Sequence, residues 1–180
     1  MTLPVCGRPV RRNWPWQGHR GGVPTHAEKR VLPYRPDQLY ALVAGVEHYP
    51  KFLPWCLGAR IRERSERLMV ADLIIGFKMF RERFTSKVSL NPEAMRIDVE
   101  YTDGPFKYLR NHWIFAAHEQ GCEIDFYVDF EFRSKLLQKT IALLFNEAVR
   151  RMVAAFETRA RHLYGENGLT LPPGVTITAA

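Results

Sequence analysis

Residues 122–134 read CEIDFYVDFEFRS, and this stretch decides the fold. Cys122, Ile124, Phe126, Val128, Phe130 and Phe132 fall on one side of an extended chain, and Glu123, Asp125, Tyr127, Asp129 and Glu131 fall on the other. One apolar row and one charged row at a period of two describe a strand with a buried face and a wet face. At Ser134 the period changes. Leu137, Ile141, Phe145, Ala148, Met152, Phe156 and Leu163 recur mostly at helical steps, as an inward helical face does. Ser134 is placed to cap this helix and Gly165 to end it. Lys139, Glu147, Arg150, Arg151 and Glu157 fall on its opposite side. A half-buried strand running directly into one long amphipathic helix predicts a sheet with that helix laid across it.

The same period of two extends upstream. Ala59 and Ile61 alternate with Arg60, Arg62 and Arg64, and Ala71, Leu73, Ile75 and Phe77 make the next apolar row. Phe84, Ser86, Val88 and Leu90 follow, then Met95, Ile97, Val99 and Tyr101, then Leu109, Asn111, Trp113 and Phe115. Asn91-Pro92-Glu93, Asp103-Gly104-Pro105 and Gln120-Gly121 separate the later rows as turns. Short turns predict an antiparallel meander of nearest neighbours. Before it, Thr25 to Leu32 reads as a first strand. Asp37 to Val43 reads as a short helix with Asp37 as its N-cap, and Glu47 to Phe52 as a second helical turn ended by Pro54.

The architecture is therefore α+β: one strand, two short helices, six strands and a long C-terminal helix, with the curved antiparallel sheet wrapped round that helix. The domain spans 25–165. Residues 1–24 carry four arginines, no acidic residue and several prolines and glycines, and read as a disordered basic leader. Residues 166–180 read as a flexible tail.

Composition narrows the function classes. The chain has 180 residues and a formal net charge of +7, which favours anionic partners such as RNA, ribosomes or anionic lipid surfaces. Outward charges on the strands are mixed, since Asp98, Glu100, Asp125 and Asp129 sit among the arginines, and no aromatic row for stacking RNA bases is evident there. Three cysteines, Cys6, Cys56 and Cys122, form no CxxC pair and predict neither a disulfide framework nor a zinc site. The six histidines match no metal spacing, and no nucleophile elbow or phosphate loop is present. Polar groups in the inward rows are limited to Ser86, Asn111 and Glu63, with a structural hydrogen bond expected for Asn111. A binding protein is favoured over an enzyme, with no catalytic cofactor. A bent sheet under a helix with small residues such as Ala148 and Ala155 leaves room for an apolar ligand, the alternative being a fully packed core.

Tyr49-Pro50-Lys51-Phe52-Leu53-Pro54-Trp55-Cys56 is unusually apolar for a loop and reads either as a core plug or as the rim of an apolar opening. With Ile75-Gly76-Phe77, Phe84-Thr85-Ser86, Gly104-Pro105-Phe106, Trp113-Ile114-Phe115, Phe130-Glu131-Phe132-Arg133-Ser134 and Ala155-Phe156-Glu157-Thr158-Arg159, it makes residues 25–164 resemble the coenzyme Q-binding protein family. That family is a START-like, helix-grip group related to polyketide cyclases. The resemblance implies a bound ubiquinone or similar isoprenoid lipid and a carrier role supporting respiration and quinone biosynthesis. It equally implies an alternative, because bacterial members are labelled ribosome-association toxins that bind the large ribosomal subunit and hinder subunit joining. A polyketide cyclase or aromatase is a third reading, disfavoured by the scarcity of inward acid–base groups.

The expected ligand contacts are Lys51, Phe52, Leu53 and Trp55 at the opening, and Leu73, Ile75, Phe77, Phe84, Val99, Trp113, Phe126 and Phe130 from the sheet. Ile141, Phe145 and Met152 are expected from the helix. Lys51, Trp55 or Trp113 would serve a quinone head. The expected location is a bacterial cytoplasm with transient contact at the inner membrane, or the mitochondrial inner membrane in a eukaryote.

Overall fold

The computed structural model describes residues 25–77, 80–166 and 168; the expected leader and residues 169–180 of the expected tail lie outside the described residues. The elements in chain order are β1 (Thr25–Leu32), α1 (Pro36–Ala44), a 3-10 turn (Val46–Lys51), β2 (Cys56–Arg64), β3 (Leu68–Phe77), β4 (Phe80–Asn91), β5 (Arg96–Asp103), β6 (Phe106–His118), β7 (Gly121–Phe132) and α2 (Lys135–Tyr164). The strands form one antiparallel sheet in the order β1-β7-β6-β5-β4-β3-β2. The meander expected for the last six strands is present. Beyond that expectation, β1 pairs with β7, from Thr25 opposite Asp129 to Leu32 opposite Cys122.

The apolar rows gather on the concave face under α2. Met69, Ala71, Ile97 and Cys122 are at most 1% exposed, and Val88, Phe115, Phe126 and Phe130 are also buried. Ser134 caps α2 as expected, its hydroxyl accepting from Leu137 N at 3.3 Å. Gly165 ends the helix at φ 81°, where a glycine is favoured. At one end of the sheet α1 packs Tyr40 edge-on against Phe115, and Tyr49 in the 3-10 turn donates its hydroxyl to Val43 O at 2.6 Å. At the other end Arg133 bridges to the β5–β6 turn through Pro105 O and Phe106 O, both at 2.9 Å. Gly121 turns β6 into β7 at φ 135°, and a Cβ there would lie 2.2 Å from Leu32 O, so only glycine lets the β1–α1 link pass over this turn.

Five expectations are corrected. The N-cap of α1 is Arg35, with Asp37 inside the first turn. Pro36 lacks an N–H and has its φ preset, so it takes the first helical position and moves the cap upstream. Glu63 is exposed, because a bulge between Ile61 and Glu63 breaks the alternation that would have turned it inward. Leu163 is 45% exposed; the last turn of α2 docks through fully buried Ala160 and through Tyr164, which packs on Tyr34 and donates to Gln38 O at 3.0 Å. Glu157 is half-buried and ion-paired with Arg30 rather than on the solvated side. The wet face does carry aromatics: His112 and Tyr127 stack at 5.4 Å and 17°, with Tyr108 on the same face.

Candidate functional site

The space between the concave face and α2 is organised by two aromatic clusters. Near the 3-10 turn, Trp113 lies 4.1 Å from Phe126 and 5.5 Å from Phe156, and Phe156 meets Phe52 at 5.2 Å and Tyr49 at 5.5 Å. Near the β5–β6 turn, Phe106 stacks on Phe132 at 4.5 Å and meets Phe84, Tyr101 and Phe130, while Phe130 meets Phe145 at 5.2 Å. Between the clusters the strand register sets a row of smaller groups across the sheet: Met69, Val88, Val99, Asn111, Val128 and His26. Aromatic ends with a thinner middle follow directly from where the sequence spends its phenylalanines.

Two polar atoms on this face have no hydrogen-bond partner among the described residues: Ser86 Oγ and Asn111 Oδ1. The structural hydrogen bond expected for Asn111 is thus not made by Oδ1. A buried polar group without a partner costs about 1–3 kcal/mol. Leu73, Phe84, Val99, Tyr101 and Leu109, all in inward rows, are only half-buried, so the concave face is incompletely covered.

A cavity of about 40 Å³ sits between β1, the middle of β6–β7 and α2. Leu32, Trp113, Ile124, Phe126, Val153 and Phe156 make its apolar walls, and Glu28, Arg30 and Glu157 its polar rim. Arg30 Nε donates to Glu28 Oε1 at 2.9 Å, Arg30 Nη1 pairs with Glu157 across the seam to α2, and His26 Nε2 lies 3.0 Å from Glu28 Oε2. Burial works to raise the Glu28 carboxyl, but the contacts with His26 and Arg30 outweigh it and hold the group below the usual carboxylate range. Hydrogen bonding to Glu157 raises the Arg30 guanidinium, partly opposed by burial. The rim is therefore a charged latch joining the edge strand to the helix, over an apolar floor. A second, open groove of about 430 Å³ runs outside α2 along Phe52, Ala154, Ala155, Thr158, Arg159 and His162.

Among the expected contacts, Trp113 and Phe126 line the cavity, and Phe52 packs behind it against Phe156 while also lining the open groove. Phe84, Phe130 and Phe145 belong to the far aromatic cluster. Leu73, Ile75, Val99 and Met152 are half-buried, as are Leu53 and Trp55, while Lys51 is exposed and lines neither hollow. The side chains of Phe77 and Ile141 lie outside what is described. Sequence reasoning missed His26, Glu28 and Arg30. They occupy the inward row of β1, where the only available signal, alternation of apolar residues, is absent because that row is mostly polar. No cluster of three or more metal-ligating side chains occurs among the described residues, and none of their helices is long and apolar enough to cross a membrane.

Residues 32–157 match the family described as polyketide cyclase / dehydrase and lipid transport. The chain is 38% identical over 143 residues to the ribosome association toxin RatA of Pseudomonas aeruginosa, covering 78% of this chain and 99% of that protein. It is 32% identical over 159 residues to the mitochondrial coenzyme Q-binding protein COQ10 homolog B of Xenopus laevis, covering 86% of this chain and 65% of that protein. A START superfamily protein from Mycobacterium smegmatis shares the fold, with a TM-score of 0.66 at 16% identity over 77% of this chain and 98% of that one.

Proposed function

The chain belongs to the polyketide cyclase / dehydrase and lipid transport family, and from that premise we propose that it is a non-catalytic carrier of ubiquinone or a similar isoprenoid lipid, held between the concave face and α2. The observation that carries this reading is the make-up of that interior: apolar walls, an incompletely covered face, and two buried polar atoms without partners among the described residues. A Ser86 hydroxyl can donate to a quinone carbonyl, and Asn111 Oδ1 can accept from a quinol hydroxyl. Apolar burial supplies the affinity, about 0.8 kcal/mol per methylene. A cavity of about 40 Å³ is well short of the roughly 150 Å³ that takes benzene. Loading therefore requires α2 to move away from β1, and the Arg30–Glu157 pair is the contact that must part. Membrane contact during loading goes with this role, with an inner membrane as its place.

The test is organic extraction of protein purified from quinone-making cells, with mass spectrometry of the extract, followed by titration of the emptied protein with ubiquinone. Co-extracted or titratable quinone is the expected result. Protein that is always empty and never binds quinone removes the carrier reading.

A second reading, association with the large ribosomal subunit, draws on the relative named above as a ribosome association toxin and on arginines exposed on the convex face. Co-sedimentation with ribosomal subunits at low salt checks it independently of quinone.

A further inference from the structure

On the convex face of β2–β4, opposite the lipid interior, Asp72 is 6% exposed although it stands in an outward row. Its Oδ2 accepts from Arg62 Nε at 2.8 Å and from Arg83 Nη2 at 2.6 Å, and its Oδ1 accepts from the Thr85 hydroxyl at 2.7 Å. The two arginines remain 48% and 58% exposed. Arg60 lies directly across the β2–β3 pair from Asp72, exposed and with no ion pair among the described residues. One carboxylate thus serves two guanidiniums beside a third, and with the exposed Asp103 across from Thr85 the three arginines still outnumber the two acids. Elsewhere on the convex face the balance reverses: Lys107, Lys29 and Arg96 are each paired to an acid, and Glu100, Asp125, Asp129 and Glu131 crowd β5–β7.

We propose that this arginine group docks the phosphate backbone of RNA, with Arg60, Arg62 and Arg83 as contacts and Asp72 as the positioning residue. The proposal rests on the ribosomal reading and names its surface. Guanidiniums match phosphate oxygens bidentately. Asp72 occupies only part of each fork, so Arg62 and Arg83 keep donors for a phosphate while their planes stay fixed. Ile74, across from Arg83 on the same face, is half-buried, so the exposed groups at the middle of the patch are guanidiniums rather than apolar side chains. Leu57, 54% exposed, stands at its margin over Gly76, and a membrane would use that leucine where RNA would not.

The experiment sediments the full-length protein with purified bacterial large ribosomal subunits at 50, 100 and 200 mM salt, beside flotation with phosphatidylglycerol vesicles. Three phosphate contacts predict that affinity falls roughly 20- to 40-fold over that range. The triple variant Arg60→Gln/Arg62→Gln/Arg83→Gln is expected to lose at least tenfold at 50 mM salt and most of the salt slope. Arg60→Gln, which breaks no internal pair, is expected to lower the slope by about one contact. Asp72→Asn separates geometry from charge: it adds net positive charge, so a surface acting through charge alone binds more tightly, whereas a positioned one binds more weakly. Circular dichroism confirms that each variant is folded. Subunit binding by wild type that persists in Arg60→Gln and the triple variant overturns this surface and leaves the ribosomal reading standing; no binding by wild type at 50 mM salt removes both. Vesicle binding that depends on these arginines and is lost in Leu57→Ser makes the patch a membrane surface and overturns the proposal.

Discussion

Ser86 and Asp72 show two opposite fates of a polar side chain in the same sheet. Ser86 is 1% exposed with its Oγ unpaired among the described residues, whereas Asp72 is 6% exposed with three donors on its carboxylate. A serine kept where an alanine would pack points to a guest. Ser86→Ala is therefore expected to leave the empty protein equally stable or up to about 1 kcal/mol more stable in a thermal melt, while weakening ubiquinone by about 5- to 10-fold, the worth of one hydrogen bond. For Asp72, burial works to raise the carboxyl, but hydrogen bonds from Thr85, Arg83 and Arg62 prevail and the group titrates below the ordinary aspartate range. A depressed folded value stabilises fully above the ordinary aspartate value and is lost as pH falls through the folded one. Asp72→Asn is expected to cost about 1–3 kcal/mol at pH 7 in urea unfolding, a difference that shrinks as pH falls from the ordinary aspartate value through the lower folded one. A constant difference across that range would mean that the hydrogen bonds, and not the charge, matter.

Among the elements, α2 and β1 meet along the seam that loading must open. Arg30 and Glu157 tie the seam, and each is less than half exposed. Glu157→Gln keeps the shape but removes the charge. It is expected to speed amide hydrogen exchange in the second half of α2 several-fold and to raise the rate of quinone uptake, with little change in the far-ultraviolet spectrum. Slower or unchanged uptake would show that the ligand does not pass this seam. The seam was also the least legible part of the sequence. Strands β4 to β7 could be read because an apolar residue falls at nearly every second position, as in Phe126, Val128 and Phe130. Strand β1 presents His26, Glu28 and Arg30 inward, so its place rests on pairing with β7 and on the Arg30–Glu157 ion pair, which no local pattern encodes. The bulge at Ile61/Glu63 and the outward turn of Leu163 were hidden for a related reason: each depends on a partner element rather than on the residue's own periodicity. Of the expected ligand contacts, Trp113 and Phe126 line the cavity and were placed inward by their rows, whereas Lys51 was chosen for its charge and lines neither hollow.

The whole molecule places an apolar interior and an arginine patch, confined to β2–β4, on opposite faces of one sheet only a strand's thickness apart. Movement of α2 acts on the first without touching the second, so loading and RNA contact are expected to be energetically independent. Because α2 is held at Ser134 at one end and through Ala160 and Tyr164 at the other, opening must occur as a swing of the stretch between these anchors that faces β1, which includes Val153, Phe156 and Glu157. Joining Arg30→Cys to Glu157→Cys with a short bis-maleimide, in a Cys6→Ser background since Cys56 and Cys122 are buried, should forbid that swing. The cross-linked protein is expected to take up ubiquinone at least tenfold more slowly than the same variant left unlinked, yet to sediment with ribosomal subunits as the unlinked variant does. Equal uptake by the two forms would show that the ligand enters at the other end, beside the β5–β6 turn. A parallel loss of subunit binding would show that the two faces are coupled through the sheet.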